Sequence, residues 1–96
     1  MPDIGKLTSV FEEARRLLAM QDNEYSWSSW LDSEDALNEI DQILSALRSG
    51  VLPPPLTLEV LFAPTGPIQE VSLSSGWGNE FLELAGRFDD AMASDA

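Results

Sequence analysis

Carboxylates are the abundant groups in this chain that could do chemistry. Seventeen Asp and Glu stand against five Lys and Arg, so the net charge is −12 over 96 residues, and there is no His and no Cys. Without those two residue types the chain lacks the usual general base, the usual activated nucleophile and the commonest transition-metal ligands. The chemistry that remains is acid–base catalysis by a carboxylate pair, or binding of a hard cation such as calcium.

Two groups of acids have the density of a metal site but not its spacing. Residues 22–24 lack the alternate-position oxygens, the glycine and the distal Glu of a calcium loop. Asp32, Glu34 and Asp35 have the spacing of a helix cap followed by first-turn acids, which the helix dipole favours. We therefore expect no metal site and no cofactor.

No spacing singles out a catalytic residue. Ser72, Ser74 and Ser75 precede Gly76, but the G-x-S-x-G pattern is absent and no His is present to activate a serine. The glycines match neither a phosphate loop nor a dinucleotide-binding fingerprint. A turn role for these serines fits the pattern better. The sequence therefore predicts a protein that is not an enzyme.

The acids are concentrated where no cation balances them. Between Arg16 and Arg48 there are seven carboxylates and no base, and the seven are Asp22, Glu24, Asp32, Glu34, Asp35, Glu39 and Asp41. Asp35 and Glu39 are a like-charge pair four residues apart, and neither Glu39 nor Asp41 has a cation three or four residues away. Because no nearby interaction along the helix offsets this repulsion, the pattern favours a surface for a cationic partner. The alternative is an acidic face that only keeps the protein soluble.

Five residues of this stretch are predicted to contact a basic protein partner. They are Tyr25, Glu34, Asp35, Glu39 and Asp41. Tyr25 is an aromatic with a polar handle flanked by acids, as binding anchors often are, and a half-buried core tyrosine is the alternative. Direct binding of nucleic acid is not expected, because that requires many cations to neutralise phosphates.

Apolar residues at three- and four-residue steps predict three amphipathic helices. They cover residues 3–20, about 34–49 and about 79–92. Gly50 is expected to end the second helix as a left-handed residue. A further short helix over residues 22–31 is predicted from Trp27, Trp30 and Leu31, whose spacing puts them on one face, with the two tryptophans in the core.

Residues 51–78 are predicted to form an irregular, proline-rich segment. Within it, residues 56–73 allow either short helical turns, with Pro67 at a first helical position, or a β-hairpin. The predicted fold class is all-α, a compact bundle of about four helices in a single domain over residues 1–96. The alternative is an α+β fold with that hairpin packed on the helices.

The chain resembles small acidic bacterial proteins of unknown function. The resemblance rests on LEVLFAPTGPIQEVSLSSGWGNEFLELA at residues 58–85, after EDALNEIDQILSALRSG and WSSWL, and its outline covers residues 7–92. The three consecutive prolines depart from the pattern. The resemblance implies a helical fold, a bacterial cytoplasmic setting and an immunity role against a toxin, with no functional residue to carry over. In charge and size alone, the chain is also similar to the immunity proteins of nuclease bacteriocins.

The expected function is that of an acidic binding protein that docks on a basic protein, as an immunity or inhibitor protein for a bacterial toxin does. Two others stay open: an accessory protein, homodimeric through apolar surface around Trp27, Trp30 or Trp77, and a DNA mimic with carboxylates spaced like phosphates. We expect a cytoplasmic location without membrane contact, because apolar runs reach only three or four residues and residues 1–5 do not begin a signal peptide.

Overall fold

Five α-helices make up the regular structure of the computed structural model, which describes residues 2–26, 28–63 and 66–93. They are α1 (Ile4–Leu18), α2 (Ser33–Arg48), α3 (Pro55–Phe62), α4 (Pro67–Ser75) and α5 (Gly78–Met92). The described residues contain no strand, so the all-α fold class is confirmed and residues 56–73 follow the helical alternative rather than the hairpin. None of the helices in the described ranges has the length and apolar character needed to cross a membrane.

The helices pack in the order α2, α1, α5, α4, α3. Each neighbouring pair in this order is in contact, with α1 near the centre. Aromatic rings also tie α3 to the centre: Phe62 lies 5.5 Å from Phe11 of α1 and 4.4 Å from Phe88 of α5, between ring centroids. α2 and α3 stand at the two ends of this packing order.

One core receives side chains from all five helices. The apolar stripes predicted for α1, α2 and α5 are buried in it, together with Leu58 of α3 and Ile68 of α4. Burying a side chain of this size contributes about 1.5–3 kcal/mol, so the three amphipathic stripes supply most of the folding energy. Ser72 is a fully buried polar residue, and its hydroxyl donates to the carbonyl oxygen of Gln69 at 2.7 Å. Its hydrogen bond is satisfied within α4.

Helix boundaries follow the local signals. The Asp3 carboxylate accepts from the N–H of Lys6 at 3.0 Å at the start of α1, and the Asp32 carboxylate accepts from the N–H of Asp35 at 3.0 Å at the start of α2. These are the side-chain caps that satisfy first-turn donors. Gly50 has φ 78°, so it follows α2 in the left-handed conformation that was predicted.

The segment 51–78 is more regular than predicted. Pro55 lies in the first turn of α3, and Pro67 lies in the first turn of α4 with Glu70 beside it. Proline is accommodated at these positions because first-turn N–H groups have no partner within the helix. Pro53 and Pro54 therefore precede α3, and Pro55 is its first residue. The three prolines do not mark a long irregular connector.

Close backbone contacts surround Gly66, which precedes α4. Its N–H donates to the carbonyl oxygen of Ala63 at 2.9 Å, and its carbonyl oxygen accepts from the N–H of Glu70 at 3.0 Å. A Cβ on Gly66 would lie 2.6 Å from the carbonyl oxygen of Val60, a distance that real Cβ atoms do not reach. Glycine is therefore required here for close approach of two backbone segments.

The short helix predicted over residues 22–31 is wrong for the described part of that segment, which forms turns and bends. Trp30 is buried as predicted, but Leu31 is 87% exposed, so the two do not share a buried helical face. Trp27 lies outside the described residues, and its predicted core position stays a prediction.

Local hydrogen bonds explain why this segment is not helical. The carboxylate of Glu24 accepts from the N–H of Ser26 at 2.8 Å, and the hydroxyl of Ser28 accepts from the N–H of Trp30 at 3.2 Å. Side chains that bond the backbone two residues away offer it an alternative to the helical ladder. These bonds outweigh the weak three-residue apolar pattern on which the helix was predicted.

Candidate binding surface

An open groove, hereafter the α2–α3 groove, runs between the two helices at the ends of the packing order. It consists of two adjoining cavities of about 610 and 770 Å³. Both cavities are lined by Glu39, Gln42, Val60 and Leu61, which makes them one continuous feature. The α2 wall covers residues 35–46, a length of about 17 Å at the helical rise of 1.5 Å per residue.

The α3 wall of the groove is apolar and exposed. Leu56 and Val60 are one helical turn apart and are 71% and 52% exposed. On its other side, α3 buries Leu58, Leu61 and Phe62 in the core. Thr57 also lines the groove and Glu59 is exposed, while the other residues of α3 are apolar. α3 therefore has one apolar face more than the protein itself covers.

The α2 wall of the groove is polar and acidic at one end. Asp35, Asn38, Glu39 and Gln42 line it there, and the apolar Ile43 and Ala46 line it towards Pro53 and Pro54. The carboxylate of Asp35 accepts from the N–H of Leu31 at 3.2 Å. Within the described residues, no Lys or Arg forms an ion pair with Asp35 or Glu39. The groove thus places two unbalanced carboxylates opposite an exposed apolar wall.

The five predicted contact residues do not form one site. Asp35 and Glu39 line the groove, one turn apart on the same face of α2. Glu34 is exposed in the first turn of α2 but does not line either cavity. The structure therefore brings two of the five residues to the groove, with a third exposed on the same helix.

Asp41 forms an ion pair with a residue of another helix. Its charge is therefore offset, which corrects the inference that local structure leaves it unbalanced. Nε of Arg15 donates to Oδ1 of Asp41 at 2.6 Å, and Nη2 donates to Oδ2 at 3.3 Å. The hydrogen bonds and charge of Arg15 lower the pKa of Asp41 below its ordinary value. The two residues are 26 positions apart, so neighbours along one helix could not reveal the pair. Asp41 therefore joins α1 to α2.

Tyr25 takes a structural position. Its ring is half-buried against the core, and its hydroxyl donates to the carbonyl oxygen of Leu18 at 2.6 Å, at the end of α1. Burial raises the pKa of Tyr25 above its ordinary value, and the negative charge of Asp32 adds to the rise. This geometry corresponds to the half-buried core tyrosine, the alternative to a binding anchor.

Asn23 is a key residue that the sequence did not single out. Its Nδ2 donates to the carbonyl oxygen of Leu17 at 2.7 Å, and its Oδ1 accepts from Nε1 of Trp77 at 2.8 Å. Next to it, the N–H of Glu24 donates to the hydroxyl of Ser75 at 2.8 Å. Residues 23–25 thus cap the carbonyl end of α1 and join it to the end of α4 and the start of α5. A buried tryptophan needs an acceptor for its N–H, but nothing local identifies which residue supplies it.

Two of the three tryptophans named for a homodimer surface are themselves buried. Trp30 and Trp77 are 6% and 4% exposed, because both pack into the core. Trp27, the third residue of that prediction, is outside the described residues. Exposed apolar side chains lie next to Trp30, at Leu31, and on α3, α4 and α5, at Leu56, Val60, Leu73 and Leu82, so a homodimer through apolar surface stays a prediction.

The cations lie on α1, on α5 and at the end of α2. They are Lys6, Arg15 and Arg16 on α1, Arg87 on α5, and Arg48 at the end of α2. Arg48 reaches back to Glu12 of α1 at 3.0 Å, and Arg16 pairs with Glu13 at 2.5 Å. Residues 49–86, which include α3 and α4, contain no Lys or Arg. The α3 side of the groove therefore has no positive charge to offer Asp35 or Glu39.

In the described residues, no group of three or more Asp, Glu, His or Cys side chains is arranged to hold a metal ion. Comparison of the chain with protein-family models, with curated proteins and with solved structures finds no match. Function is therefore inferred from the surface of the molecule itself.

Proposed function

We propose that this is a non-enzymatic binding protein that docks on a basic protein through the acidic face of α2. One observation carries the proposal: Asp35 and Glu39 lie beside the apolar wall of α3. Both carboxylates are exposed, and neither has an ion-pair partner among the described residues. Acid alone would also suit a face that only confers solubility. An apolar wall beside it does not improve solubility, and interfaces combine such a wall with a charged rim.

The charge of this surface determines the association kinetics that we expect. An acidic face attracts a basic partner before contact and speeds association, mainly at low ionic strength. Exposed charges further apart than about 8 Å are largely screened at physiological salt, so binding should weaken as salt increases. The net charge of −12 acts in the same direction over the whole molecule.

We also propose that docking inhibits the activity of the partner. Proteins that bind nucleic acid need cationic surfaces to neutralise phosphates, so a nuclease presents the charge that this face complements. An inhibitor of such a toxin is also what the resemblance to immunity proteins implies.

The test is recovery of the partner from native cell extract with two charge-reversed variants. Glu34→Lys with Glu39→Lys changes α2, and Glu80→Lys with Glu83→Lys makes the same change of net charge on α5. We expect the wild type and the α5 variant to retain one basic protein at low salt, and the α2 variant to lose at least about tenfold in affinity for it. Added wild-type protein should inhibit the activity of the purified partner.

Equal loss in the two variants would show that total charge matters and the α2 face does not. Unchanged binding in both would leave the acidic face a solubility feature. A partner that binds but keeps its full activity would overturn the inhibitor form alone.

A further inference from the structure

Resting on the proposed function, we infer that the α2–α3 groove binds an amphipathic helix of the basic partner. The helix places two cations, one turn apart, against Asp35 and Glu39, and its apolar side chains against Leu56 and Val60. This inference adds the binding mode and the chemistry of the recognised segment to the proposal of a basic partner.

The length of the groove fits a short helix. Its α2 wall spans residues 35–46, about 17 Å, which matches three turns of an occupant helix of about eleven residues. Peptide helices that bind in grooves use apolar anchors at positions i, i+3, i+4 and i+7. Leu56 and Val60, also one turn apart, form an apolar wall along which such anchors can pack.

The spacing of the acids fits cations on the same occupant. Asp35 and Glu39 are four residues apart and therefore neighbours on one face of α2. Two Lys or Arg four residues apart on the occupant have the same spacing. In the free protein the two carboxylates repel each other, and two bound cations replace that repulsion by attraction.

A second copy of this chain is a poorer occupant than a basic helix. Each copy would bring Asp35 and Glu39 of one groove near the same residues of the other, and the exposed Glu59 of α3 would add to the repulsion. Like charges placed opposite each other disfavour association. Charge complementarity therefore selects a cationic segment.

The test uses two synthetic peptides of about fourteen residues made of Leu, Ala and Lys. In one, the Leu residues form a single helical stripe flanked by Lys pairs four residues apart. The other has the same composition in an order that gives no apolar stripe. We expect isothermal titration calorimetry at low salt to show binding of the amphipathic peptide at least about tenfold tighter than that of the scrambled one, since it alone buries its Leu residues in the groove.

Two variants locate the binding. Leu56→Ser with Val60→Ser removes the apolar wall, and because both side chains are exposed the fold should be retained, as circular dichroism can check. Leu73→Ser with Leu82→Ser is the matched control, since it changes two similarly exposed leucines on α4 and α5. The groove variant should bind both peptides with the same affinity, whereas the control should keep the tenfold preference.

Four results would overturn the inference. Equal affinity of the wild type for the two peptides, or a tenfold preference that survives in the groove variant, excludes the groove as a helix site. After either result the proposed function still holds if Glu39→Lys weakens the binding of both peptides. Sedimentation that shows a wild-type dimer abolished by the groove variant would make a second copy the occupant. If the amphipathic preference holds but Glu39→Lys leaves the affinity for both peptides unchanged, the proposed acidic docking fails, and with it the placement of cations against Asp35 and Glu39.

Discussion

The contact between α1 and α2 and the groove between α2 and α3 treat charge in opposite ways. At the first, Arg15 pairs with Asp41 and Arg48 pairs with Glu12 across the two helices. In the second, Asp35 and Glu39 have no ion pair among the described residues, and Leu56 and Val60 are exposed. The ion pairs of the first stabilise the packing of α1 on α2, whereas the side chains of the second are left without such partners. Binding can therefore be changed at the groove without loss of the fold.

The largest effect should come from the core side of α3. Phe62→Ala removes a ring that stacks on Phe88 and contacts Phe11, and should lower the free energy of unfolding by about 3–5 kcal/mol. Leu56→Ala on the opposite face of the same helix should change it by no more than about 0.5 kcal/mol. Urea denaturation measures both, and Phe62→Leu serves if the alanine variant does not fold. Similar losses for Phe62 and Leu56 would remove the distinction between the two faces.

The next effect should come from the cap at the end of α1. Asn23→Ala leaves the N–H of Trp77 and the carbonyl of Leu17 without their side-chain partner, which should cost about 1–3 kcal/mol. Asn79→Ala, at an exposed position of α5, is the matched control and should change little. Thermal unfolding compares them. If the two variants have the same midpoint, the bridge contributes nothing to stability.

A smaller, pH-dependent effect is expected from Tyr25. Because its pKa is raised in the folded state, its contribution to stability is complete below its ordinary pKa of 10.0 and is lost as pH rises through the higher, folded value. The wild type should therefore lose stability relative to Tyr25→Phe above about pH 10. Denaturation at several alkaline pH values checks this. A constant difference between the two proteins would show that the hydroxyl does not titrate in that range.

Asp41 should show the opposite pH dependence. Its pKa is lowered in the folded state, so its contribution is present above the ordinary value of 3.8 and is lost as pH falls through the lower, folded value. Wild type should be slightly more stable than Asp41→Asn at neutral pH, with a difference that shrinks in acid and in high salt. A difference that is independent of pH would attribute the effect to packing instead of the ion pair with Arg15.

The smallest expected effect on stability is an increase. Glu39→Gln removes the repulsion with Asp35 and should stabilise the protein by about 0.2–0.5 kcal/mol, while partner binding weakens. Denaturation and binding measured on the same preparation test the pair of effects. Destabilisation by Glu39→Gln would mean that this carboxylate has a structural partner, and the contrast with Asp41 would disappear.

Patterns within single helices were sufficient to predict much of the fold. Periodicity indicated α1, α2 and α5, and the special backbone properties of Gly50 and Pro67 indicated where α2 ends and α4 begins. These features depend on residues close together in sequence. The turns in the described part of residues 22–31 were missed because side-chain bonds to the backbone outweigh an apolar pattern of three residues.

Features that depend on contacts between distant residues could not be predicted. The pairing of Arg15 with Asp41 spans 26 positions, and the bridge from Asn23 to Trp77 spans 54. For the same reason the acidic stretch alone could not show that Asp35 and Glu39 line a groove whereas Asp41 forms an ion pair with Arg15. The opposite wall of that groove comes from α3, which no charge pattern identifies.

α3 is also expected to be a weakly protected helix. It has eight residues, a length at which an isolated helix is marginal, and only one of its faces is held by the core. Its amides should therefore exchange with deuterium sooner than those of α1, through local opening that leaves the rest of the bundle intact. A ligand seated against Leu56 and Val60 would slow that exchange, so α3 would report occupancy of the groove.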